Sequence, residues 1–160
     1  MDPFNFADAL LGILAQRLAK RLCKECKQPY HPGPDEMKQL LNEYCEELAH
    51  TDEWKKNPKV FLESVYKDWG ARYAKEGKFT LYRAKGCPAC NDSGYKGRVG
   101  LHELLVGTDP VKKLIQEKAR VAEILACALN EGMRTLKMDG IEKVVQGITD
   151  MKQVRAVCIK

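Results

Sequence analysis

Apolar residues recur at every fourth position near the start of the chain: Phe6, Leu10, Leu14, Leu18 and Leu22, with Leu11, Ile13 and Ala15 widening the stripe. That spacing predicts one helix over 5–22, with Asn5 as its cap. So broad an apolar side must pack against something. After the breaker His31-Pro32-Gly33-Pro34, the residues Met37, Leu40, Leu41, Tyr44 and Leu48 mark one helix face. Phe61, Val65 and Trp69 mark another. Thr51-Asp52-Glu53 and Asn57-Pro58 are start signals, because small side-chain oxygens satisfy free amides and proline suits a first turn. Residues 31–78 therefore read as an inserted helical segment. Residues 79–84 and 97–106 are rich in β-formers and read as two strands, with the Cys87/Cys90 turn between them as in a small hairpin.

From Thr108 onward the pattern is helical again. Val111, Leu114 and Ile115 mark a short helix, and Val121 to Glu131 a second one closed by Gly132. Met133, Leu136, Val144 and Val145 continue the apolar face until Gly147 stops it, and Thr149 opens a last helix carrying Val154 and Val157. The expected fold class is α+β, predominantly helical, with a metal-knuckle hairpin and a C-terminal helical part. At 160 residues this is one ordinary domain or two small ones.

Two Cys-x-x-Cys pairs, Cys23/Cys26 and Cys87/Cys90, carry the candidate chemistry. A two-residue spacing lets both sulfurs of a pair face one ion from a tight turn, and zinc takes four thiolates tetrahedrally. The 60 residues between Cys26 and Cys87 demand ordered structure in between. Such a site would hold the hairpin against the end of the first helix. Four thiolates close the shell, so the role expected is structural rather than catalytic. Cys45, Cys127 and Cys158 lie in apolar helical patterns and read as core. Glu47-x-x-His50 has no second copy that would make a di-metal site and reads as surface. His102-Glu103 reads either as a ligand pair or as a hydrogen-bonded structural pair. Asn91-Asp92-Ser93 fits the glycosylation pattern only for an exported chain.

Charge and hydropathy narrow the setting. No stretch is long and apolar enough to span a membrane, and the first residues lack the basic start of an export signal. A reducing cytosol is expected, where such cysteine pairs are metal ligands more often than disulfides. The net charge of +5 includes the clusters Arg17/Lys20/Arg21/Lys24/Lys27 and Lys96/Arg98. These read as solvated cations complementing a helix end, since no aromatic–basic surface for nucleic acid accompanies them. Residues 31–78 hold ten acidic and eight basic side chains, so this segment is slightly acidic within a basic chain. No Gly-x-x-x-x-Gly-Lys-Ser/Thr loop, dinucleotide fingerprint or Gly-x-Ser-x-Gly elbow occurs.

Three blocks resemble a known family. They are the run Gly12 to Cys26 with its Gln16-Arg17-Leu18-Ala19-Lys20-Arg21-Leu22-Cys23 core, the run Gly86 to Leu105, and the run Asn130 to Thr149. Together they resemble the C-terminal part of the type II secretion and type IV pilus assembly ATPases. The resemblance implies a fragment of a cytoplasmic hexameric ATPase at the inner-membrane face, powering protein export or pilus extension. It implies a zinc module held by Cys23, Cys26, Cys87 and Cys90, with ATP and Mg2+ bound only in the longer parent. It also implies partners among the hexamer's other subunits and the inner-membrane platform, with no nucleic acid and no membrane span. Residues 1–22 then end the ATPase core as a helix, 23–106 form the zinc module with 31–78 inserted, and 107–160 form the C-terminal helical subdomain. The fragment itself would not be an enzyme. Lys96 and Arg98 are candidate contact residues. A nucleic-acid-binding zinc ribbon and a thiol-redox protein are the competing readings, the latter needing a βαβ setting that the pattern does not offer.

Overall fold

A computed structural model describes residues 2–158. The chain opens with a short helix α1 (Pro3–Ala9), capped by the Asp2 carboxylate accepting from the Phe4 amide. It then enters an eleven-residue strand β1 (Gly12–Leu22). This corrects the single helix expected over 5–22. Leu14 and Leu18 share a face whether the period is four or two, so the spacing alone did not separate the readings. What decides is distant: β1 pairs antiparallel with β4 (Tyr95–Val106), from Gly12 opposite Val106 to Leu22 opposite Tyr95. A long ladder of this kind overrides the helix propensity of the Leu-Ala-Gln-Arg run.

The register slips between Lys20 and Leu22. Such an irregularity changes the face that a strand presents. Ala19 and Leu22 are consequently both buried, while Leu14 and Leu18 stay exposed. The expected hairpin between 79–84 and 97–106 is also corrected. The strand β3 (Leu81–Arg83) pairs instead with β2 (Gln28–Tyr30) in a second two-stranded sheet. Both sheets thus join segments far apart in sequence.

Between β2 and β3 lie α2 (Pro34–Cys45), a 3-10 turn at Glu47–His50, α3 (Asp52–Lys56) and α4 (Pro58–Tyr73). Thr51 and Asn57 cap α3 and α4 through their side chains, as the start signals required. Beyond β4 come α5 (Asp109–Gln116), α6 (Val121–Asn130), α7 (Leu136–Val145) and α8 (Met151–Val157), so the helical C-terminal part is as expected. Gly132 and Gly147 take positive φ after their helices.

One apolar core joins the two helical parts. Met37, Leu40, Tyr44, Leu48 and Trp69 pack in the same cluster as Leu129, Met138, Ile141, Val144, Val145 and Val154. Cys45 is buried there, and Cys158 packs at its edge. The inner side of the β1–β4 ladder meets this body at Leu101, over which α7 crosses closely. A Cβ on Gly140 would lie 3.1 Å from Leu101 and 2.7 Å from Val154.

Candidate metal centre

The β1–β4 ladder ends where the four cysteines gather. Cys23 follows β1 directly, and its amide donates to the Gly94 carbonyl just before β4 at 2.9 Å. The chain then turns tightly, with the Lys27 amide donating to the Cys23 carbonyl at 3.0 Å, which brings Cys26 back toward Cys23. On the other side Cys87 precedes a 3-10 turn at Pro88–Cys90. Asn91 and Asp92 reverse the chain in the left-handed region, which their short polar side chains tolerate better than most. The Ser93 hydroxyl donates to the Cys90 carbonyl at 2.7 Å and accepts from the Tyr95 amide at 3.1 Å.

All four sulfurs lie within 4.8 Å of one another. Three of the separations, Cys23–Cys87, Cys26–Cys90 and Cys87–Cys90, are 3.8 Å. Four thiolates at the zinc–sulfur bond length of about 2.3 Å, placed at tetrahedral corners, stand about 3.8 Å apart. The donor set and its spacing therefore fit a tetra-thiolate ion. No other group of three or more candidate ligands comes together among the described residues. Glu103 is instead a cap: its carboxylate accepts from the Leu136 amide at the start of α7. The adjacent His102 amide donates to Asp139, and the imidazole is exposed.

Backbone amides reach two of the sulfurs, Cys26 and Cys90. Gly86 donates to Cys26 Sγ at 3.4 Å, Cys87 to Cys90 Sγ at 3.3 Å, and Gly94 to Cys90 Sγ at 3.2 Å. Such donors favour the charged thiolate. Desolvation pushes the Cys90 thiol up, but the Cys87 and Gly94 amides, with the Cys87 and Cys26 thiols, outweigh it and bring Cys90 down to about 6. Cys87 moves the other way, to about 11, through desolvation and through its contacts with the Cys90 and Cys23 thiols, against the Cys90 and Ala89 amides. The pair thus holds one thiolate readily and a second proton tightly, which a divalent cation would displace.

Sequence reasoning found the four sulfurs but not the groups that fix them. Lys27, assigned to a solvated cluster, is half-buried: its ammonium donates to the Gly147 carbonyl at 2.9 Å and lies 4.2 Å from the Tyr82 ring centre. Burial, and the nearby Arg21 and Lys24, lower its pKa. The Thr149 hydroxyl donates to the Lys20 carbonyl at 2.7 Å, and the Leu22 amide donates to the Ile148 carbonyl at 3.0 Å. The 147–149 turn is therefore fastened beside the cysteine cluster. Gly147 and, two residues on, Thr149 are the local marks of this turn in the sequence. Lys96 and Arg98 stay exposed on β4.

The sequence matches the family described as "Type II/IV secretion system protein" over residues 1–156. The chain belongs to this family. The match runs through residues 31–78, which the three-block resemblance had left out. A type IV pilus assembly ATPase PilB of Thermus thermophilus is 33% identical over 160 residues, covering 100% of this chain and 15% of that protein. The type II secretion system ATPase E of Vibrio cholerae is 34% identical over 157 residues, covering 98% of the chain and 25% of its own length. A type II secretion system protein E of Dickeya dadantii is 32% identical over 154 residues, 96% of the chain and 24% of that protein. The chain thus spans a quarter or less of these secretion and pilus relatives.

Proposed function

We propose that this chain is the zinc-stabilised structural region of a hexameric secretion or pilus assembly ATPase, working at the cytoplasmic face of the inner membrane. The observation that carries the reading is the convergence of Cys23, Cys26, Cys87 and Cys90 at tetrahedral spacing, in a chain whose relatives bear secretion-ATPase names. Bound zinc would supply a redox-inert, closed cross-link. Cys23 and Cys26 hold it from the end of β1, Cys87 and Cys90 from the turn before β4. Clamped there, the two ends of the segment containing α2, α3 and α4 cannot separate, and the helical body keeps one orientation on the ladder. Nucleotide binding and hydrolysis belong in this reading to the remainder of the parent protein, which gives the fragment a mechanical rather than a chemical part. None of the described helices is long and apolar enough to cross a membrane, which suits attachment through protein partners such as the inner-membrane platform.

The test uses the full-length parent. Cys87→Ser combined with Cys90→Ser should remove the metal and lower both the hexamer fraction and the ATP hydrolysis rate, while nucleotide affinity of the separate subunit stays unchanged. Retention of wild-type assembly and turnover after metal loss would contradict the proposed role.

A further inference from the structure

A cavity of about 620 Å³ lies between the N-terminal parts of α2 and α4, away from the cysteines. The two helices meet farther along, where the Tyr44 and Trp69 rings touch edge to face at 5.1 Å, and they leave the groove open before that contact. Its walls are two helical stripes of matching period. On α2 they include Met37, Lys38 and Leu41, and on α4 Lys59, Leu62, Tyr66 and Lys67. Residues at i, i+3, i+4 and i+7 line up on one helix face, so both walls offer ridges of the kind that receive another helix.

The floor is apolar and the rim is cationic. Lys38, Lys59, Lys67 and Lys78 surround it, against the single carboxylate of Glu63. The ion pairs of the described residues are made by Arg72, Lys137, Lys143 and Arg155 and leave these four lysines out. Distribution of the charge decides between occupants. Lys59 and Lys67 are eight residues apart on α4, roughly 12 Å along its axis. Lys38 stands on the opposite wall and Lys78 at the end. A single anionic head group would call for cations clustered at one end, whereas these flank the groove on both sides along its length.

We propose that the groove docks an acidic amphipathic helix of a partner protein, its apolar face on Leu41, Leu62 and Tyr66 and its carboxylates toward the four lysines. Helix-in-groove recognition uses this combination of an apolar seam and complementary flanks. The site is independent of the ATPase reading, because it needs only α2, α4 and the turn at Gly77–Phe79.

The experiment uses the full chain and fluorescence anisotropy. The probe is a labelled synthetic helix roughly three turns long, with leucines at i, i+3, i+4 and i+7 flanked by glutamates. Its counterpart carries lysines in place of the glutamates. Saturable binding of the acidic probe, weakened roughly tenfold or more by Lys59→Glu with Lys67→Glu while circular dichroism stays unchanged, is the expected result. The basic probe should prefer the double variant. Equal affinity of both chains for the acidic probe, or no binding at all, would overturn the proposal. So would two further outcomes: sodium dodecanoate binding in a lysine-dependent way while the probe does not, or self-association that the lysine variant abolishes, which would make a second copy the occupant.

Discussion

Gly94 sits at φ +84 with the Ala84 Cβ 2.7 Å from where its own Cβ would be, and its amide donates to Cys90 Sγ. Gly94→Ala should therefore destabilise the fold by about 1–3 kcal/mol through left-handed strain and crowding. It should also weaken metal retention, checked by urea denaturation alongside chelator competition. Glu43 offers a pH signature. Burial pushes its carboxyl up, but Arg155 and Lys137 beside it outweigh that and hold it below the ordinary range. A folded-state value below the unfolded one contributes stability above the ordinary glutamate value of about 4.3, and that stability is lost as pH falls through the depressed value. Wild type should accordingly lose more stability than Glu43→Gln on acidification across that window, as measured by denaturant midpoints at each pH.

Among the elements, α4 and α7 are fastened at one carboxylate. Glu142 on α7 receives Arg72 and the Tyr73 hydroxyl from α4, the latter at 2.9 Å, and the Tyr44 hydroxyl from α2 at 3.4 Å. Glu142→Ala leaves the largely buried Tyr44 hydroxyl without this partner and should cost about 1–3 kcal/mol, read as a lowered midpoint of thermal unfolding. Most helices were legible because their caps and apolar stripes are local signals: Thr51, Asn57, Thr108 and Gly132 mark boundaries that the structure keeps. The strands were not, since their partners lie far off. Nothing near Leu14 announces Leu104, and nothing near Leu81 announces Tyr30. The leucine spacing at 14, 18 and 22 suits a helix and a strand alike. The convergence of the four cysteines was legible for a different reason: two-residue cysteine spacing brings a pair of sulfurs to one side of a turn whatever the flanking element. Its supports at Lys27, Gly94 and Thr149 depend on contacts across the fold and left almost no local signal.

Across the whole molecule, the face of the β1–β4 ladder opposite Ala19 and Leu101 keeps large apolar side chains exposed. Leu14, Leu18, Leu104 and Val106 lie exposed on its outer face, with Leu14 directly opposite Leu104. A contiguous apolar patch on a two-stranded ribbon seeks a cover. The isolated chain should self-associate with increasing concentration, and Leu14→Lys with Leu104→Lys should raise the monomer fraction in sedimentation without loss of helix. The cysteine cluster lies at the Leu22–Tyr95 end of the same ladder, where Lys20, Leu22 and Lys27 hold the 147–149 turn. If the four thiolates share one ion, metal content per chain by elemental mass spectrometry reads it out. It is paired with thiol counting in denaturant before and after chelation. One zinc per chain is expected, with four of the seven thiols released only by the chelator. No metal, with all seven thiols reactive from the start, would contradict it.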